Sequence, residues 1–87
     1  MKILDAKITS INGMVAISWQ MDNQSWVPPQ KYNIEDATVQ DPIKLKGWIQ
    51  EYKDKFNEGK DIEDSNNQIP EIPPSVVILI DKPLNLE

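Results

Sequence analysis

The side chains able to do chemistry in this 87-residue chain are carboxylates, lysines, hydroxyls and a few aromatics. Histidine, cysteine and arginine are absent, and all nine cationic residues are lysines. Without cysteine there is no thiolate nucleophile, no disulfide and no cysteine-based zinc or iron–sulfur site. Lacking histidine, the chain has neither the commonest general base nor the commonest transition-metal ligand. Fourteen carboxylates give a net charge of −5, which repels a nucleic-acid backbone, and no arginine is present to read one. The densest acidic group, Asp61, Glu63 and Asp64 with Ser65 and Asn67, has the look of a calcium loop. An EF-hand loop starting at Asp61 needs glycine at its sixth position and a bidentate glutamate at its twelfth. Asn66 and Ile72 stand there instead, so the expectation is a solvated charged loop without a metal. Asp36 and Asp41 could do acid–base work, but no nucleophile, phosphate loop or metal cluster accompanies them. Neither catalysis nor a cofactor is expected. The remaining chemistry is aromatic: Trp26-Val27-Pro28-Pro29 followed by Tyr32 reads as an aromatic pocket for a planar ligand or for a partner, or else Trp26 packs onto the end of the hairpin as a lid on the core. Trp and Tyr are favoured interface anchors.

The elements that must position these residues begin with a hairpin. Leu4, Ala6 and Ile8 alternate with polar residues, as do Val15, Ile17, Trp19 and Met21 further on, and Asn12-Gly13 lies between the runs. Asn-Gly is the pair a type I′ turn requires, because both central residues need positive φ. A two-residue turn pairs Ile11 with Met14, Ile8 with Ile17, Ala6 with Trp19 and Leu4 with Met21. All apolar positions then share one face, whereas a slip of one residue would separate them. Strands are expected near 2–11 and 14–22, with a weaker edge strand over 31–35.

Asp41-Pro42 carries the signals of a helix start, a capping carboxylate followed by proline at the first helical position. Leu45, Trp48, Ile49, Tyr52 and Phe56 follow at spacings of three and four, one apolar stripe. The helix should run over 42–58, carry an ion pair between Glu51 and Lys55, and end at Gly59. Gly47 either admits a close neighbour or is a tolerated weakness. Residues 60–74 read as a polar, proline-rich arm. The apolar run 76–80 reads as the centre of a strand over 75–81 with both faces covered. The fold class is α+β, one domain in all, with a hairpin-plus-helix core over 1–59, the arm over 60–74 and a strand and tail over 75–87.

Three tryptophans and a five-residue apolar run are much apolar surface for a chain that buries only ~60–65% of its unfolded surface. Trp19 and Trp48 belong on the core faces. The rest points to a second chain, either another copy or a larger protein. The expected contact residues are Trp26, Pro28, Pro29 and Tyr32 together with Pro70, Ile72, Pro73, Pro74, Val77 and Leu79, with the segment 70–80 adding a strand to a sheet or packing across an interface. No apolar run approaches the ~20 residues of a membrane span, and residues 1–7 lack the apolar stretch of a signal peptide.

The order of features resembles very short phage proteins encoded among tail and tail-fibre genes. The residues that carry the resemblance are Met1-Lys2-Ile3 at the head of an alternating hairpin, Trp26-Val27-Pro28, Trp48-Ile49 within a helix, and Gly59-Lys60-Asp61-Ile62 at its end. They span residues 1 to about 63. The resemblance implies a non-catalytic virion or tail-associated accessory protein, located in the virion or the host cytoplasm, that joins itself or a larger protein. A small phage-encoded binder that sequesters a ligand or inhibits a host protein is the other function class left open.

Overall fold

Asn12 and Gly13 both take positive φ, 53° and 78°, and turn the chain into an antiparallel pair of strands, β1 (Ile3–Ile11) and β2 (Met14–Met21). The computed structural model describes residues 2–60 and 72–86. Ile11 pairs with Met14, Ile8 with Ile17 and Ala6 with Trp19, the register the turn demands. A bulge breaks that register at the open end. Ile3 rather than Leu4 faces Met21, and the next pair is Asp5 with Gln20. Ile3 is therefore buried at 2% exposure, while Leu4 is the extra residue and leaves the core face. One residue inserted in one strand has this effect on everything beyond it.

Helix α2 (Pro42–Asn57) packs across the hairpin and contacts β1. Its start is capped as expected, with the Asp41 carboxylate accepting from the Ile43 N–H at 2.9 Å. At its end Gly59 takes φ 73°, Gly59 N–H donates to Phe56 O and Lys60 N–H donates to Lys55 O. This pair of bonds satisfies two of the carbonyls that a helix end leaves free. Glu58 accepts from Lys60 at 2.8 Å, and that hydrogen bond and negative charge raise the ammonium pKa above its ordinary value. Lys55 and Glu51 pair at 3.1 Å on the exposed side. Leu45 and Ile49 are fully buried, Trp48 and Tyr52 half-buried, and Phe56 stands at the edge of the stripe, 39% exposed. Gly47 is exposed, and a Cβ added there would meet nothing within 4 Å, so it serves no close approach. The helix is tied to the sheet by Asn57, whose side chain accepts from Ile3 N–H at 2.7 Å and donates to Ile3 O at 2.9 Å. A short helix, α1 (Asp36–Val39), precedes α2 and buries Val39.

Residues 75–81 do not form the expected strand. Pro74–Val77 make a helical turn, α3. Only Ile80 bridges β1, at Ile8, and Pro83 bridges Lys7 further on. Proline at the first helical position favours the turn. The turn also removes the need to cover both faces of an apolar strand. Val76 points into the core at 0% exposure, while Val77 and Ile78 point out at 52% and 67%. The tail then runs beside β1. Asp81 N–H donates to Ile8 O at 2.7 Å, Leu84 N–H to Ala6 O at 2.9 Å, and the Lys53 ammonium to Leu86 O at 3.3 Å. Leu84 and Leu86 are buried.

The edge strand expected over 31–35 is displaced in sequence. It is residues 25–30 that flank β2, through bridges at Gln20–Trp26 and Ile17–Gln30. The two prolines are tolerated on this edge because the N–H groups on either side of them, of Val27 and Gln30, make the bonds to Trp19 O and Ile17 O of β2. Among the described residues no helix is long and apolar enough to cross a membrane.

Candidate functional site

Strand alternation sends Asp5, Lys7 and Thr9 of β1, with their partners Gln20, Ser18 and Ala16 of β2, to the side of the sheet opposite the Ile8–Ile17 pair. Thr9, Ala16 and Ser18 are nonetheless buried, because the two flanking segments rise on either side of them. Trp26, Pro28 and Pro29 form one wall, and Ile80 and Asp81 form the other. Between them is an open groove of about 520 Å³ with Thr9 and Ser18 in its lining. The Lys7 ammonium reaches across to the Trp26 ring, 4.5 Å from its centroid, a cation–π contact. The Ser18 hydroxyl donates to Val27 O at 2.6 Å and fastens the first wall to the floor. The Thr9 hydroxyl oxygen is buried without a hydrogen-bond partner. A second hollow of about 240 Å³ is lined by Leu4, Asp5, Gln20, Gln24, Asn85 and Leu86. Asp5 there accepts from the Ala6 N–H at 2.8 Å and from the Leu86 N–H at 3.4 Å, so its carboxylate is engaged in holding the tail.

Tyr32 does not join Trp26. It belongs to an aromatic cluster between sheet and helix, where Trp19 Nε1–H donates to its hydroxyl at 2.8 Å. Trp19 stacks on Tyr52 with centroids 4.8 Å apart, and Tyr32 lies 5.9 Å from Trp48. Of the expected contact residues, Trp26, Pro28 and Pro29 do come together, and Val77 is exposed nearby in sequence to the opposite wall. Ile72 and Leu79 pack on the protein's own core. Pro73 and Pro74 start α3. Pro70 lies outside the described residues, as does the acidic group at 61–67. Lys7, Ile78, Ile80 and Asp81 are not among the contact residues expected from the sequence. Ile78 was legible only to a helical reading of 76–80, in which positions 76, 79 and 80 share one side and 77 and 78 the other. Among the described residues no three carboxylates stand together as a metal site.

Comparison with family models, curated proteins and solved structures finds none that matches this chain.

Proposed function

We propose that this chain is a small non-catalytic interaction protein, a phage structural or tail-associated accessory component that assembles with itself or with a larger protein. The observation that carries the reading is the apolar surface formed by Val77 and Ile78, 52% and 67% exposed, next in sequence to the groove wall at Ile80. A β-branched pair turned outward is not part of the chain's own core, and two residues on in sequence the chain enters the wall of a groove that also presents tryptophan and proline. Contiguous exposed apolar surface of this kind marks protein contact sites. The phage assignment is supported by the order of Met1-Lys2-Ile3, Trp26-Val27-Pro28, Trp48-Ile49 and Gly59-Lys60-Asp61-Ile62.

Lysine-directed cross-linking in cells of the native source, read by mass spectrometry, tests this. Lys7 lines the groove and Lys82 follows its far wall. The reading expects links from Lys7 or Lys82 to another polypeptide, either a second copy or a virion protein. Links confined to lysines of the same molecule would refute it.

A further inference from the structure

We infer that the outer face of the hairpin, between its two flanking segments, binds a neutral oligosaccharide, one sugar ring against Trp26 and the next among the amides of Gln20, Gln24 and Asn85. This goes beyond the reading of the chain as an interaction protein and uses different residues from Val77 and Ile78.

The groove of about 520 Å³ and the hollow of about 240 Å³ share one floor. Lys7 and Ser18 of the groove are a cross-strand pair, and Asp5 and Gln20 of the hollow are the pair two residues along. Two residues of strand span about 7 Å, so a ligand that reaches both depressions is longer than a single sugar ring. The flanks accompany both depressions. One supplies Gln24 to the hollow and Trp26 to the groove, and the other supplies Asn85 to the hollow and Asp81 to the groove. Trp26 bridges Gln20, and residues opposed across an antiparallel pair share a face. The indole therefore stands where groove and hollow meet. The groove alone falls within the ~300–1,000 Å³ of small-molecule sites.

What this trough offers is a set of hydrogen-bonding side chains around an aromatic face. The amides of Gln20, Gln24 and Asn85 both donate and accept, as do the hydroxyls of Thr9 and Ser10, while Lys7 only donates and Asp81 only accepts. Sugar hydroxyls likewise donate and accept, and the C–H groups on one side of a sugar ring suit the electron-rich face of an indole. The Thr9 hydroxyl supplies an independent sign of a ligand. Thr9 lines the groove, is 8% exposed, and its hydroxyl oxygen has no partner among the described residues. Such a group costs free energy until something bonds to it. The Lys7 ammonium now lies 4.5 Å from the Trp26 centroid. That contact is weak where water reaches it, and Lys7 is only half-buried, so the ammonium exchanges the ring for a sugar hydroxyl at little cost.

Charge and backbone argue against other occupants. The groove holds Lys7 and Asp81, one of each sign, and the hollow adds the Asp5 carboxylate. A phosphate or carboxylate ligand finds no concentration of positive charge here. An extended peptide held by a sheet bonds to main-chain groups at a free edge. The trough instead lies over a sheet face whose main-chain groups pair with each other, so it presents side chains alone.

The test is a glycan array of neutral and acidic oligosaccharides probed with the full chain. Proton–nitrogen NMR titration with the neutral glycan that binds best then follows, on wild type, Trp26→Ala and Thr9→Val. The spectra also verify that each variant is folded. The Trp26 indole N–H and the amides of Lys7, Ser18 and Gln20 should shift together. Trp26→Ala and Thr9→Val should each raise the Kd by about tenfold or more, as loss of an anchor contact does. An array on which no neutral glycan binds overturns the inference, as does binding confined to acidic glycans. Shifts confined to residues outside the trough, or variants that bind like wild type, overturn it equally. Cross-links from Lys7 or Lys82 to another polypeptide bear on the interaction reading alone, so either reading can fail without the other.

Discussion

Replacing Tyr32 with phenylalanine removes one oxygen and tests where that ring sits. In the structure the hydroxyl accepts the Trp19 indole N–H at 2.8 Å, and Trp19 is 4% exposed. The phenylalanine ring keeps the edge-on contact with Trp19, 6.1 Å between centroids, so packing is little changed. What is lost is the acceptor of a buried donor. Leaving such a donor unpaired costs ~1–3 kcal/mol. A domain of this size has ~4–13 kcal/mol in total, so the variant should stay folded with a measurable deficit. Each 1 kcal/mol lowers Tm by about 4–8 °C in a domain of this length. In urea, with a slope of ~1–1.5 kcal/mol per molar, the midpoint should fall by about 0.7–3 M. Unfolding followed by both tryptophan fluorescence and circular dichroism supplies the number. A Tyr32 standing beside Trp26 at the surface would lose within ~0.5 kcal/mol instead. A midpoint equal to wild type would therefore refute the aromatic cluster as described.

Two glycines should respond in opposite directions to alanine. Gly47→Ala, exposed and mid-helix with free space around it, should stabilise by ~0.5–1 kcal/mol, whereas Gly59→Ala, held at positive φ, should destabilise by ~1–2 kcal/mol; urea titration reads both. Thr9→Val deletes a buried hydroxyl that has no partner and should raise stability by ~1 kcal/mol, with a loss showing that the hydroxyl is used. Val76→Ala should cost ~2–3 kcal/mol, two buried methyl groups plus a cavity, while Val77→Ala should leave the urea midpoint within ~0.5 kcal/mol of wild type; equal costs would mean that 76–80 is an internal strand after all.

The hairpin was legible because two independent signals agreed, the Asn12-Gly13 turn and the alternation on both sides of it. The long helix was legible for a similar reason, with Asp41-Pro42 and Gly59 bounding one stripe. Leu4 was misplaced because a bulge adds a residue without altering composition, and alternation read outward from a turn carries no sign of it. The run 76–80 was misread because an unbroken apolar stretch has no period that separates strand from helix. The deciding signal was Pro74, the same start signal that correctly placed Pro42. Trp26 and Tyr32 are six residues apart and were grouped for that closeness. The structure places the one against Lys7 and the other against Trp19, since residues 25–30 hold to the outer side of β2 while Tyr32 reaches the helix layer. The polar partner that fixes the helix end, Asn57 on Ile3, is separated from it by 54 positions, and nothing local in the sequence announces it.

Hydroxyl-radical footprinting of Trp26 and Ile78 tests the interaction surface most directly. Oxidation of both residues is measured by mass spectrometry in cells of the native source and in the purified protein at high dilution. Trp26 and Ile78 should be protected severalfold together in cells relative to the dilute protein, while Ile43, 83% exposed on another helix, should be oxidised equally in both. Equal oxidation of Trp26 and Ile78 in the two settings would contradict it.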